Sequence, residues 1–344
     1  MKTVRLVLIG LGNLGRRFCR VLDEKRDHLR QRYDLDLMLV GAADSRGAAY
    51  DPVNGLNPGD VASLKAGGGS IADHPDAGKA GWLASALVET AQADVLLEAS
   101  PVNLEAGAEP GLSCIRTALR RGMHVATPNK GPLVVAYQEL HQLAATHDVQ
   151  LRFDGTVAGG LPALNLGQRD LRGATIARME AVPNLCTGYV MDMVAAGTPW
   201  EEATARAHEA GVLEGDGSWD LEGWDAAAKL VILANAVLSQ PTTMDDVQRT
   251  GITDLAPERL QSAQERGERY RLLVSADRED DGSYTLSVAP VPLSPDHPLG
   301  CLGRKQMGIL FETDIYGTIT AIIDEPSPVP SAATMLRDVL DIYA

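Results

Sequence analysis

The sequence predicts an α/β protein built on a doubly wound, mostly parallel sheet, with a second α+β domain following it. Three observations carry that expectation. Short apolar runs alternate with helical stretches over the first 150 residues, glycines 10, 12 and 15 punctuate the first junction, and the rhythm changes after about residue 150. With 344 residues and 45% apolar side chains, the chain is long enough for two modest domains with their own cores.

Residues 3–9, TVRLVLI, are a short Val/Leu/Ile-rich run that predicts a strand buried on both faces. After the glycines, Phe18, Val21, Leu22 and Leu29 mark the inner face of a helix. Leu37 to Ala43 predicts a second buried strand, with Asp44 just beyond it. Asp94–Glu98 and His124–Ala126 predict further strands, with the helical stretch Leu112–Arg120 between them. Strands alternating with helices imply right-handed crossovers and a parallel sheet. The segment 45–80 holds DPVNGLNPGD and AGGGS and reads as a turn-rich excursion over the surface. Farther on, VAGGLP at 157–162 leads into a strand-like stretch, and helical patterns follow at 189–210 and 222–238. Residues 269–290 and 308–323 alternate as antiparallel strands, and Ser331–Ala344 places Met335, Leu336, Val339, Leu340 and Tyr343 on one helical face.

A net charge of −15 argues against phosphate-backbone recognition, which needs a positive face. Cys19, Cys114, Cys186 and Cys301 lie far apart with no CxxC pair, the pattern of inert thiols in a reducing compartment. The N-terminal apolar run, Val4 to Ile9, is interrupted by Arg5 and followed by glycines, which does not fit a secretory signal. No stretch reaches the ~18–20 apolar residues of a membrane span. The expectation is a soluble cytoplasmic protein with a small-molecule substrate and neither a nucleic-acid nor a membrane partner. Its 7 histidines show no ligand-like spacing, so no transition-metal site is expected.

Gly10-Leu11-Gly12-Asn13-Leu14-Gly15 has the GxGxxG spacing between a strand and a helix. The first glycine permits the tight turn, the second admits a pyrophosphate, and the third lets helix and strand pack closely, with the helix N-terminal amides facing the phosphates. Asp44, at the end of the second strand, suits an adenosine ribose and hence NAD. Arg46, two residues on, suits a 2′-phosphate and hence NADP, so the sequence leaves the two cofactors open. Asp225 and Lys229 stand four apart on the helix at 222–238, either as a solvated ion pair or as a functional pair.

The stretch DVLLEASPVNLEAGAEPGLSCIRTALRRGMHVATPNK (94–130), taken with the glycine fingerprint, VAGGLP and GWDAAAKLVILAN (223–235), closely resembles the homoserine dehydrogenase family. That resemblance covers residues 1–275 well and the HPL segment at 297–299 more loosely. It implies a Rossmann-type dinucleotide-binding domain over 1–150 plus a C-terminal helix, 328–344, and a substrate-binding and dimerisation domain over 151–327. The implied reaction is reversible hydride transfer between L-homoserine and L-aspartate 4-semialdehyde, on the route to threonine and methionine. The implied form is a monofunctional homodimer without an ACT domain.

By the same resemblance Glu214 binds the substrate amino group, Lys229 is the proton donor, and Asp225 orients substrate or lysine. Hydride arriving at a carbonyl carbon creates alkoxide charge, which a nearby ammonium stabilises and neutralises. Lys130 is assigned to catalysis and to both the substrate and cofactor sites, Ser100 and Asn129 to the cofactor, and Thr187, with Asp225, to the substrate. The backbone around Asp154, Val157, Gly159 and Leu161 resembles a loop whose carbonyls hold a monovalent cation, Na+ or K+.

Two segments depart from the family pattern. Asn184-Leu185-Cys186-Thr187-Gly188-Tyr189 stands where NGTTNY is usual, and Asp324-Glu325-Pro326-Ser327-Pro328-Val329-Pro330-Ser331 replaces a glycine-rich turn. Prolines fix φ and remove amide donors, so the second segment cannot copy a glycine-rich backbone. These departures keep two alternatives in view: a paralogous dehydrogenase for another small amino or hydroxy aldehyde, and a dinucleotide-binding protein without turnover.

Overall fold

Strand β1 (Lys2–Ile9) is flanked on both sides by parallel partners, so it runs inside a sheet whose two faces are covered, and its residues from Leu6 to Ile9 are buried whichever face they point to. The computed structural model describes every residue except Glu214 and Asp216. It divides the chain into two units, Met1–Gly160 with Ser327–Ala344, and Leu161–Pro326.

In the first unit β1 leads through the glycine turn into α1 (Asn13–Tyr33), then β2 (Leu35–Asp44). Next come β3 (Gly47–Tyr50), α2 (Pro58–Ala66), β4 (Gly78–Ala80) and α3 (Ala84–Thr90). The unit continues with β5 (Val95–Glu98), α4 (Gly111–Arg120), β6 (His124–Ala126), α5 (Lys130–Thr146) and β7 (Leu151–Arg152). The sheet order is β4-β3-β2-β1-β5-β6-β7. The strand order reverses between β1 and β5, and a doubly wound sheet opens its ligand crevice at the carboxyl ends beside such a point.

The excursion expected over 45–80 is instead part of the sheet. Strand β3 pairs antiparallel with β2, Ala43 facing Ala48, and β4 pairs with β3. Leu56, Val61, Ala62 and Ile71 from the same segment enter the core. Alanines and glycines carry little strand propensity, so here tertiary pairing decides the conformation. The C-terminal helix, Val329–Tyr343, returns to this unit. Its Met335, Leu336 and Val339 join Phe18, Leu22 and Leu29 in one core cluster, and burying each such side chain contributes about 1.5–3 kcal/mol. Pro330 lies in its first turn, where a missing N–H costs nothing.

The second unit begins with a turn of helix, α6 (Ala163–Asn165), followed by β8 (Ile176–Val182) and α7 (Leu185–Ala195). Then follow α8 (Trp200–Glu209), α9 (Ser218–Leu221), α10 (Trp224–Ala236), β9 (Gln248–Arg249) and α11 (Pro257–Glu265). Four long strands complete it: β10 (Arg269–Arg278), β11 (Tyr284–Leu293), β12 (Gln306–Thr313) and β13 (Gly317–Asp324). The single helical pattern expected over 189–210 breaks at Gly197, φ 93°, and Pro199 sits at the N-cap of α8.

The strands form a second sheet ordered β13-β12-β8-β10-β11-β9. Register puts Ala181, Val274, Val288 and Ile309 on one face and Glu180, Ser275, Ser287 and Leu310 on the other. Helix α10 is alanine- and leucine-rich and nearly all buried, so it is anchored from every side. Among the described residues, no helix is long and apolar enough to cross a membrane.

Candidate active site

The glycine turn opens directly onto β5. A Cβ on Gly10, whose φ is +88°, would overlap the Ala99 carbonyl and lie 2.5 Å from the Ser100 amide. One on Gly15 would overlap the Gly10 carbonyl, whereas one on Gly12 would meet nothing within 4 Å. The space at Gly12 faces the start of α1, which runs for 21 residues and has no side-chain N-cap bond. Exposed Asn13 and half-buried Leu14 begin that helix. Uncapped amides, the positive end of a long helix and open space over Gly12 suit a pyrophosphate. The residues present fit a dinucleotide.

Beneath this turn lies a polar network that the sequence reading missed. Glu98 ends β5 and is fully buried, its Oε1 accepting the Ser100 amide at 2.8 Å. Thr127 donates to the Glu98 carbonyl at 2.9 Å, and its oxygen accepts the Asn129 amide at 3.0 Å. Asn129 reaches Ser100 Oγ at 3.4 Å and caps α5 by accepting the Gly131 amide at 3.0 Å. Lys130, half-buried, is the first residue of that helix. Burial pushes the Glu98 carboxyl upward against the hydrogen bonds from Ser100, Asn129 and Thr127. Ser100 and Asn129 therefore belong to one network, tied together by an acid that DVLLE does not distinguish from an ordinary strand end.

Asp44 is bound by its own chain. Lys65 Nζ lies 2.6 Å from its Oδ2, Ser70 Oγ is 2.9 Å from Oδ1, and the Ile71 and Arg46 amides donate at 2.9 Å each. Burial pushes this carboxyl up, but the bonds from Lys65, Ile71, Arg46 and Ser70 outweigh it and hold the group at about 2. Asp44 thus fastens the 45–80 segment to the end of β2, while exposed Arg46 sends its guanidinium to the Gly68 carbonyl at 3.1 Å. A carboxyl lowered from 3.8 to about 2 contributes stability above its unfolded value, worth about 2 kcal/mol. That contribution fades as pH falls below 3.8 and is gone once pH passes below about 2. Urea midpoints of wild type and Asp44→Asn should accordingly converge on acidification. A gap that stays constant with pH would show that the charge does not act.

In the second unit the candidate catalytic groups cluster where β8 gives way to α7. Strand β8 ends before Pro183, which has no N–H to continue the ladder, and the Pro183 carbonyl accepts Lys229 Nζ at 2.8 Å. Lys229 Nζ also lies 2.9 Å from Asp225 Oδ2 and 3.1 Å from Asn184 Oδ1. Its side chain is only 12% exposed, so the pair is no solvated surface bridge. Asp225 stands in the first turn of α10, where the helix dipole favours a carboxylate and the next turn presents Lys229. Asn184 donates from Nδ2 to Asp225 at 2.7 Å and to Asp220 at 3.3 Å.

Cys186, which departs from the family pattern, donates its thiol to Asp220 Oδ1 at 3.1 Å. Burial first, then Asp220, push the thiol well up, so it stays protonated. Thr187 is buried, and its hydroxyl oxygen has no partner among the described residues. Glu214, expected to hold the substrate amino group, lies outside the described residues.

Asp154 is buried and pairs with Arg337 of the C-terminal helix, which also donates to the Gly160 carbonyl at 3.1 Å. Val157 and Leu161 are buried, and Gly159 has φ 57°. Among the described residues, no group of three or more His, Cys, Asp or Glu side chains could hold a metal ion.

Comparison with known proteins gives these features a family. Residues 10–154 match the model of the homoserine dehydrogenase NAD-binding domain, and residues 162–340 match that of homoserine dehydrogenase. A homoserine dehydrogenase from Methanocaldococcus jannaschii is 33% identical, over 98% of this chain and 98% of its own. An NAD(+)-dependent homoserine dehydrogenase from Pseudomonas canavaninivorans is 31% identical, over 100% and 97%. The crystal structure of a homoserine dehydrogenase from Thermoplasma acidophilum superposes with a TM-score of 0.82 at 25% identity, covering 98% of each chain. The chain belongs to the homoserine dehydrogenase family of NAD(P)-dependent oxidoreductases.

Proposed function

We propose that the chain interconverts L-homoserine and L-aspartate 4-semialdehyde, and that Lys229 exchanges the proton. The observation that carries this reading is the largely enclosed ammonium of Lys229, 12% exposed as a side chain and held by Asp225, Asn184 and the Pro183 carbonyl. NAD(P), when bound, supplies hydride acceptance and donation. Lys229 takes the hydroxyl proton during oxidation and returns it to the alkoxide during reduction. Asp225 orients the lysine, and Glu214 holds the substrate ammonium. Thr187, whose buried hydroxyl has no partner among the described residues, offers it to the substrate, because such a group is costly until something pairs with it. Gly10, Gly12, Asn13, Leu14, Gly15, Ser100 and Asn129 hold the cofactor, and Lys130, at the start of α5, serves cofactor and catalysis alike. Arg46 and Asp44 lie at the ribose end. The carbonyls of Asp154, Val157, Gly159 and Leu161 are assigned to Na+ or K+.

The test is homoserine-dependent reduction of NAD+ and NADP+ at alkaline pH, with aspartate semialdehyde and NADH or NADPH in reverse. Turnover in both directions is expected. A second reading, a dehydrogenase for another small amino or hydroxy aldehyde, draws on Leu185 and on a Cys186 thiol committed to Asp220. Faster turnover of any other alcohol in a panel would favour it over homoserine. We assign the protein to the cytoplasm, in keeping with four free cysteines. We also assign it a homodimeric state, formed through the strands between residues 269 and 323. Ile322 on the edge strand β13 and Ile315 and Tyr316 just before it are exposed, apolar surface of the kind a second copy would cover. Light scattering should give twice the 36.6 kDa chain mass; a monomer mass would exclude the dimer.

A further inference from the structure

We propose that Asn184 is a positioning residue that fixes the Lys229–Asp225 pair and sets the proton affinity of the lysine. The inference rests on the reading of Lys229 given above.

The Asn184 amide is buried, and every polar valence it presents to this cluster is used. Oδ1 accepts from Lys229 at 3.1 Å, and the two Nδ2 hydrogens go to Asp225 at 2.7 Å and Asp220 at 3.3 Å. Only one orientation of the amide satisfies these partners, because a flipped group would face its donors toward the ammonium and its acceptor toward two carboxylates. The side chain therefore links three elements: its own junction between β8 and α7, Asp220 on α9, and the Asp225–Lys229 turn of α10. Among the described residues, the charged and titratable groups of this cluster are Asp225 from α10 and, through Asn184, Asp220 from α9 and the Cys186 thiol from α7. Asn184 is the neutral member that separates Asp220 from the ion pair. It quenches part of two carboxylates and adds one acceptor to the ammonium, so it governs how firmly Lys229 keeps its proton.

During homoserine oxidation Lys229 must be neutral to accept a proton, so the acid-side limb of the kcat profile reports it. Asn184→Asp places a third carboxylate beside the ammonium and should move that limb up by about one pH unit. Asn184→Ala removes the acceptor from the ammonium and also the donors that quench Asp225 and Asp220, two opposed effects on the limb. Its limb should therefore move less than that of Asn184→Asp, while loss of aim lowers kcat by about 10–100-fold. NADPH affinity, read by fluorescence titration, should change less than about twofold in both. A limb raised in Asn184→Asp, with kcat lowered at unchanged NADPH affinity in Asn184→Ala, supports the assignment. Limbs at the wild-type pH in folded variants, with only the melting temperature lowered, overturn it. If Asn184→Asp does not fold, Asn184→Ala and Asn184→Ser decide alone, since serine is too short to span both partners. A Lys229→Ala control that keeps the wild-type limb would instead defeat the lysine reading, an outcome separate from failure of the Asn184 variants.

Discussion

Replacing Lys229 by alanine is expected to lower kcat for homoserine oxidation by about 10³-fold, the scale of losing a well-placed acid–base group. NADPH binding should stay unchanged, because the glycine turn and the Glu98 network belong to the other unit of the chain. At 12% exposure, with three acceptors at 2.8–3.1 Å, the ammonium is held in place before substrate arrives. The substitution also has a stability cost, since Asp225 is 6% exposed and would lose its counter-ion. Breaking one half of a buried pair costs about 3–5 kcal/mol, softened here by the hydrogen bond from Asn184. Lys229→Met therefore belongs beside the alanine variant, because it fills the space and isolates the chemical loss from cavity formation. Steady-state kinetics with both variants, alongside melting curves, separates the effects. Activity within about tenfold of wild type in a folded Lys229→Met protein would show that proton exchange runs elsewhere.

What could be read from the sequence, and what could not, follows the range of the interactions. The strand at 3–9, the glycine turn and the helix after it were legible because buried-strand composition and GxGxxG spacing are local signals. The pair Asp225–Lys229 was legible as neighbours for the same reason, since four residues make one helical turn. Its burial was not. Burial comes from the Pro183 carbonyl and Asn184, 46 and 45 residues from Lys229. Asp44 shows the same limit, because Lys65 and Ser70, which bind it, stand 21 and 26 residues along a segment that reads as turns. Glu98 ends an apolar run, and nothing in VLLE tells that its carboxyl lies inside a network with Ser100, Thr127 and Asn129. Residues that touch a ligand carry motif signals, whereas residues that hold them in place are found only once the chain is folded.

The three glycines of the turn should give two different phenotypes, and the difference tests the cofactor assignment without any assay of turnover. Gly10→Ala forces a Cβ into the Ala99 carbonyl and within 2.5 Å of the Ser100 amide, at a backbone φ of +88° that an L side chain rarely adopts. Left-handed strain alone costs about 1–2 kcal/mol, and the clash with backbone adds to it. Gly15→Ala drives its Cβ into the Gly10 carbonyl, with the Gly10 carbonyl carbon at 3.0 Å. Neither obstacle is a flexible side-chain tip, so in both variants the junction of β1, β5 and α1 must move. A lowered melting temperature is expected together with lost NADPH binding. Gly12→Ala meets nothing within 4 Å and has an ordinary φ of −76°. Its methyl group should therefore leave the melting temperature of the free protein within about one degree, yet stand in the gap before the uncapped amides of α1. NADPH affinity should fall by at least about tenfold, since a methyl group standing where the pyrophosphate approaches displaces the ligand from its donors. Tight NADPH binding by Gly12→Ala would mean that the turn is only a structural corner, and the phosphates would then have to be held elsewhere.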